Sequence, residues 1–150
     1  ANRDLPAFVV LTSGQFLPDG GASLWGAGFL PGEHQGVRLR TDAGGVPFLA
    51  DPAGVSREQR RRELDALARL EAERARECGD PQRDARGAQH ELAFRMQASM
   101  PELLELGSES AETLALYGAV PGEANFASHC LLARRLLERG VRFVQLYHWG

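Results

Sequence analysis

The sequence predicts an α/β protein with a mainly parallel sheet covered by helices, and two stretches carry that expectation. Near the chain's end, Phe126, Cys130, Ala133 and Leu137 recur at helical spacing, with Leu132 and Leu136 widening the stripe. Gly140 follows where a helix commonly ends, and Val141 to Tyr147 then reads as a strand. Helix, glycine, strand is half of a βαβ unit. Near the chain's start, Ala7-Phe8-Val9-Val10-Leu11 is a short apolar run rich in strand-forming residues, suited to a buried strand.

Taken in order, the chain divides into three regions of what is expected to be part of a single larger domain. Residues 1–55 are the opening strand followed by a glycine-rich stretch containing Gly14, Gly20, Gly21, Gly26, Gly28, Gly32 and Gly36. Val37 to Leu39 and Val46 to Leu49 are candidate minor strands within it. Loops of this length in compact domains are usually functional or wrap another part of the protein. Residues 56–118 read as helical. Ser56 suits an N-cap for the arginine- and glutamate-rich run after it, and Leu64, Leu67, Ala68, Glu71 and Ala75 mark the packed face. Gly79-Asp80-Pro81 breaks that helix, a second is expected from about Gln82 to Ala98, and short helices follow at Pro101–Leu106 and Ala111–Tyr117. Residues 123–148 are the helix–strand unit.

Composition narrows the function classes. Hydrophobic content of 43% and charged content of 25% are those of an ordinary globular chain. A net charge of −3 argues against nucleic acid as a partner, since phosphate backbones call for a basic face. All 17 basic residues are arginine, so no chemistry in this chain uses a lysine. No apolar run is long enough to span a membrane, and two cysteines, Cys78 and Cys130, are too few for a disulfide framework. Cys130 and Leu137 are expected in the core. The chain opens almost directly into one strand and closes just past another, as expected of an internal piece of a larger protein.

The candidate chemical motifs are mostly incomplete. Gly21-Ala22-Ser23-Leu24-Trp25 approaches a nucleophile elbow, but the closing glycine is displaced to Gly26, and an elbow needs a strand immediately before its serine. Without lysine the same glycines cannot complete a phosphate loop. Cys78-Gly79-Asp80-Pro81-Gln82-Arg83 has one residue too many between cysteine and proline for the C-x-P-x-R signature of sulfatases, and is better suited to ending a helix. Among the four histidines, His34, His90 and His129 lack metal-ligand spacing, and His90 and His129 read as structural. His148 differs by position. It follows the last strand at its carboxyl end, where open α/β sheets bind ligands, so His148 and Trp149 are the candidate active-site rim.

Pro6-Ala7-Phe8-Val9-Val10-Leu11, Trp25-Gly26-Ala27-Gly28-Phe29-Leu30-Pro31 and His34-Gln35-Gly36-Val37 resemble a large bacterial family, the domain of unknown function 1501 family. Glu91 to Gln97, Cys130 to Leu136 and Gly140 to Leu146 extend the resemblance in order along the chain. The family is sulfatase-like, within the alkaline-phosphatase superfamily. The resemblance implies an alkaline-phosphatase-like α/β/α sandwich with a mainly parallel sheet and, here, a helical insertion. It also implies an exported or periplasmic hydrolase of sulfate or phosphate esters, on small molecules or glycans, that uses a divalent metal held by aspartates and histidines. In such members the last strand runs on into a W-D-x-H type segment, and this chain ends at Trp149-Gly150. The nucleophile and metal ligands are therefore expected mainly in the remainder of the parent chain, with no cofactor bound by this piece alone, which is expected to be inactive. The alternative is a non-catalytic member of the fold that binds an anionic glycan or a partner protein.

Overall fold

A computed structural model describes residues 2–13, 17–39, 54–78 and 81–148, without the side chains of residues 33, 75–78, 81–86 and 88. The chain is an α/β protein whose sheet has three strands among the described residues: β1 (Phe8–Ser13), β2 (Val37–Leu39) and β3 (Phe143–His148). Their order is β2-β1-β3, and both pairings are parallel. The opening strand is thus central, which explains why Val9, Val10 and Leu11 are completely buried. The candidate strand at Val46–Leu49 lies outside the described residues.

Register divides the sheet's side chains into two faces. Val9 pairs with Val37 and Val144, and Leu11 with Leu39 and Leu146, so these six residues project to one side. That side packs against Met96, Met100 and Leu103 of α2 (Pro81–Leu104) and Leu132, Ala133 and Leu136 of α4 (Phe126–Glu138). Phe8, Thr12, Arg38, Phe143 and Tyr147 occupy the other side. There Phe8 and Phe143 meet edge to face at 4.9 Å, and the turn Gly21–Trp25 sets Trp25 near Tyr147. Gly36 makes that approach possible: a Cβ there would lie 2.9 Å from the Trp25 Cβ and 2.8 Å from the Phe8 ring.

The helical region is a long hairpin. Ser56 accepts from the Gln59 amide at 3.2 Å and so caps α1 (Arg57–Cys78), as its position in the sequence indicates. Arg61 joins α1 to α2 by pairing with Asp65 on its own helix and Glu91 on the other, while Arg57 stacks over Phe94. α2 does not stop near Ala98. It continues through Pro101 to Leu104, because Met100 and Leu103 are fully buried and their burial offsets the one helical hydrogen bond that a proline forfeits. The separate helix expected at Pro101–Leu106 is thus the end of α2 and a single 3-10 turn, Leu106–Ser108. α3 (Ala111–Tyr117) has the expected bounds, capped by Ser110 and ended by Gly118 at φ 67°.

α4 holds the main correction. Its buried face is Ser128, His129, Leu131, Leu132, Ala133, Arg135 and Leu136, rotated from the stripe centred on Cys130 and Leu137. Leu137 is 52% exposed and Phe126 45%, and Cys130 is a half-buried free thiol. The physical reason is Arg135. Although charged, it is buried, and it donates to Glu109 at 2.7 Å, to Ser108 at 3.1 Å and to the Glu102 carbonyl at 2.8 Å. A hydropathy stripe places such an arginine outside and so misplaces the helix's rotation. The turn out of α4 is a Schellman motif: Gly140 at φ 90° donates to the Leu137 carbonyl, and Val141 to the Leu136 carbonyl.

Unfolding experiments can separate the two faces of α4. Leu136→Ala is expected to cost about 2–5 kcal/mol, whereas Leu137→Ala stays within about 0.5–1 kcal/mol. Equal costs in denaturant titrations would show that the helix is rotated differently.

Candidate functional site

The parallel register brings together the carboxyl ends of β1 and β3. Ser13 pairs with His148, two residues beyond Leu11 and Leu146, so both side chains lie on the face that α4 covers. Their polar atoms meet: Ser13 Oγ lies 2.8 Å from His148 Nδ1 and also 3.4 Å from the Tyr147 carbonyl oxygen. Ser13 is only 2% exposed, whereas His148 is at the surface.

α4 starts over this edge. Asn125 accepts from the Ser128 amide at 2.9 Å and fixes the first turn. From that turn the Phe126 ring lies 5.1 Å from the His148 ring at an interplanar angle of 38°. One turn on, His129 is almost fully buried, and its pKa is held below the usual imidazole value by burial and, secondarily, by the nearby His148. On the opposite face, Arg38 Nε donates to Thr12 Oγ1 at 3.2 Å, which brings a cation to the same end of the sheet.

The edge therefore combines a buried hydroxyl, two imidazoles and a nearby guanidinium. A neutral imidazole can accept a proton at one ring nitrogen and donate one from the other. Among the described residues no three histidine, cysteine, aspartate or glutamate side chains are grouped to hold a metal ion. His129 and His148 give at most part of a ligand set, and a divalent metal does not fit this edge on the described residues alone.

The candidates from sequence fall in different places. His148 is the last residue of β3, not the residue after it, and Trp149 lies outside the described residues. Ser23 sits in an exposed 3-10 turn far along the chain from the end of β1, and its hydroxyl is spent on the Gly20 carbonyl at 2.6 Å. No strand immediately precedes it, so it lacks the setting of a nucleophile elbow. Cys78 closes α1, and its side chain is outside the described residues. His34 and His90 are exposed on other elements. Sequence reasoning passed over Ser13 and read His129 as structural. Alternation along β1 carried one step beyond Leu11 would have put Ser13 on the core face.

A cavity of about 470 Å³ opens at the opposite end of the sheet, between Pro6, Gly36 and Val37 and the α2 residues Leu92, Arg95 and Met96. Arg95 is the titratable residue in its lining, so it is poorly equipped for proton transfer, and the carboxyl edge is the better candidate for chemistry.

The family described as a protein of unknown function (DUF1501) matches residues 1–150, and the chain belongs to it. No curated protein and no solved structure gives a significant match.

The lowered His129 pKa fixes a sign for the pH dependence of stability. The unfolded chain takes up a proton near the ordinary value of about 6.5, before the folded chain does. His129's contribution is therefore complete above that pH and is lost as pH falls below it. Denaturant titrations between about pH 8 and pH 5 should show stability falling on the acid side, with a shallower fall in His129→Gln. An unchanged slope in the variant would contradict this assignment.

Proposed function

We propose that the carboxyl edge of the sheet is one wall of the active site of an exported hydrolase of sulfate or phosphate esters. The observation that carries the reading is the in-register end of β1 and β3, which sets His148 at the surface against the buried hydroxyl of Ser13. Ligands of open parallel sheets bind at this end, beyond the carboxyl ends of the strands. The ester class comes from the resemblance to sulfatase-like members of the family.

The same resemblance brings a divalent metal. The described residues of this edge do not fit such an ion, so no step is routed through it. The residues of this edge have work that does not depend on it. His148 can take a proton from a hydroxyl or water, or return one to the leaving group. Phe126 shields one side of its ring, and His129 keeps the space behind it polar while remaining neutral. No helix among the described residues is long and apolar enough to cross a membrane.

The test is turnover of aryl sulfates and aryl phosphates by the intact protein. His148→Gln should lower kcat/KM by about 10²-fold or more, while Cys78→Ser leaves it within about twofold, a barrier change below 1 kcal/mol. Undiminished turnover in His148→Gln would remove this edge from the active site. Binding of sulfated or phosphorylated glycans without any turnover would favour the non-catalytic alternative.

A further inference from the structure

We infer that Ser13 is a positioning residue that holds His148 in the tautomer protonated at Nδ1, which leaves the Nε2 lone pair as the acceptor that the imidazole offers at the carboxyl edge. The use of that acceptor in catalysis rests on the reading of the edge as an active-site wall; the tautomer itself does not.

The hydrogen-bonding capacities of the three groups decide the assignment. A serine hydroxyl has one proton to donate and lone pairs with which to accept, whereas a carbonyl oxygen only accepts. Ser13 Oγ lies 2.8 Å from His148 Nδ1 and 3.4 Å from the Tyr147 carbonyl oxygen. If the hydroxyl proton pointed at Nδ1, two oxygens would face each other across the second contact with no proton between them. If instead Nδ1–H donates to Oγ, the hydroxyl is free to donate to the Tyr147 carbonyl, and both contacts become hydrogen bonds. Ser13 is 2% exposed, so bulk water is poorly placed to repair the less favourable arrangement.

A neutral imidazole carries one N–H, so protonation at Nδ1 leaves Nε2 bare. The bond made by one ring nitrogen commonly sets the state of the other in this way. The Phe126 ring, 5.1 Å from that of His148, restricts the room for the ring to turn over and exchange its nitrogens. Strand geometry supplies the remaining constraint, because Ser13 and His148 are register partners and neither can shift along its strand without breaking the ladder. A histidine oriented by a hydrogen bond at one nitrogen and bare at the other is arranged either to accept a proton or to act as a ligand.

Nitrogen-15 NMR of the labelled intact protein tests this without reference to activity. Two-bond correlations to the ring protons, recorded at about pH 8.5 where an ordinary imidazole is neutral, distinguish a protonated from a bare ring nitrogen. The His148 signals are assigned by their absence in His148→Gln. The expected result is a protonated Nδ1 and a bare Nε2 in the wild type. In Ser13→Ala the Nε2–H form, which predominates for an imidazole in water, should take over, and Ser13→Thr should restore the wild-type pattern. A wild-type spectrum with protonated Nε2 would overturn the inference, and so would a pattern unchanged by Ser13→Ala in a folded variant. Should Ser13→Ala fail to fold, the wild-type and Ser13→Thr spectra still decide. The Nδ1–H tautomer in a protein without hydrolase activity would retain Ser13's role while removing the proposed function.

Discussion

The rest of the structure depends on one constraint, the parallel register of β1 with β3 from Phe8↔Phe143 to Ser13↔His148. Because side chains alternate along a strand, that register decides at once which residues enter the core and which reach the carboxyl edge. A slip of one residue would turn every side chain of β3 to the opposite face. Val144 and Leu146 would leave the α2–α4 layer, and His148 would leave the face that Ser13 shares. The core and the candidate site are thus consequences of one alignment. The register is defended at the amino end as well, where the amides of Arg142 and Phe143 both donate to the Ala7 carbonyl at 3.0 Å.

α4 connects that alignment to the chemistry. Its C-terminal Schellman turn hands the chain directly to β3, and burial of Leu136 and Val141 in the same cluster holds helix and strand together. Arg135 fixes the helix's rotation by tying it to Ser108, Glu109 and the end of α2. Once the rotation is fixed, Phe126 and His129 fall beside His148. The arrangement suits a buried ion pair that specifies geometry more than it adds stability, since bringing both charges out of water is itself costly. Rotating the helix to bury Leu137 would pull Arg135 from its partners and His129 from the edge together.

Much of this fold was legible where a local signal and the tertiary outcome agree. The opening strand, the Ser56 cap, α3 and the helix–glycine–strand unit all carry signals within a few residues of themselves. The misses have a common physical cause. Pro101 sits inside a helix because the core pays for it at Met100 and Leu103, two residues whose burial depends on the distant sheet. Leu137 is exposed because Arg135, polar by composition, is buried by partners about 30 positions away. The candidate site divides in the same way. His148 could be picked out from its place at a strand's end, but Ser13 and His129 acquire meaning only when β1, β3 and α4 are brought together. Their spacing in the chain has no motif to betray it.

The register places Ser13 in direct contact with His148, and a double-mutant cycle on unfolding free energy measures that contact most directly. Ser13→Ala, His148→Gln and the double variant should show a coupling of about 0.5–1.5 kcal/mol, the range for a hydrogen bond within the folded chain. Effects that add to within about 0.3 kcal/mol, with all variants folded, would mean that the two side chains do not meet and that the edge described here is not assembled in solution.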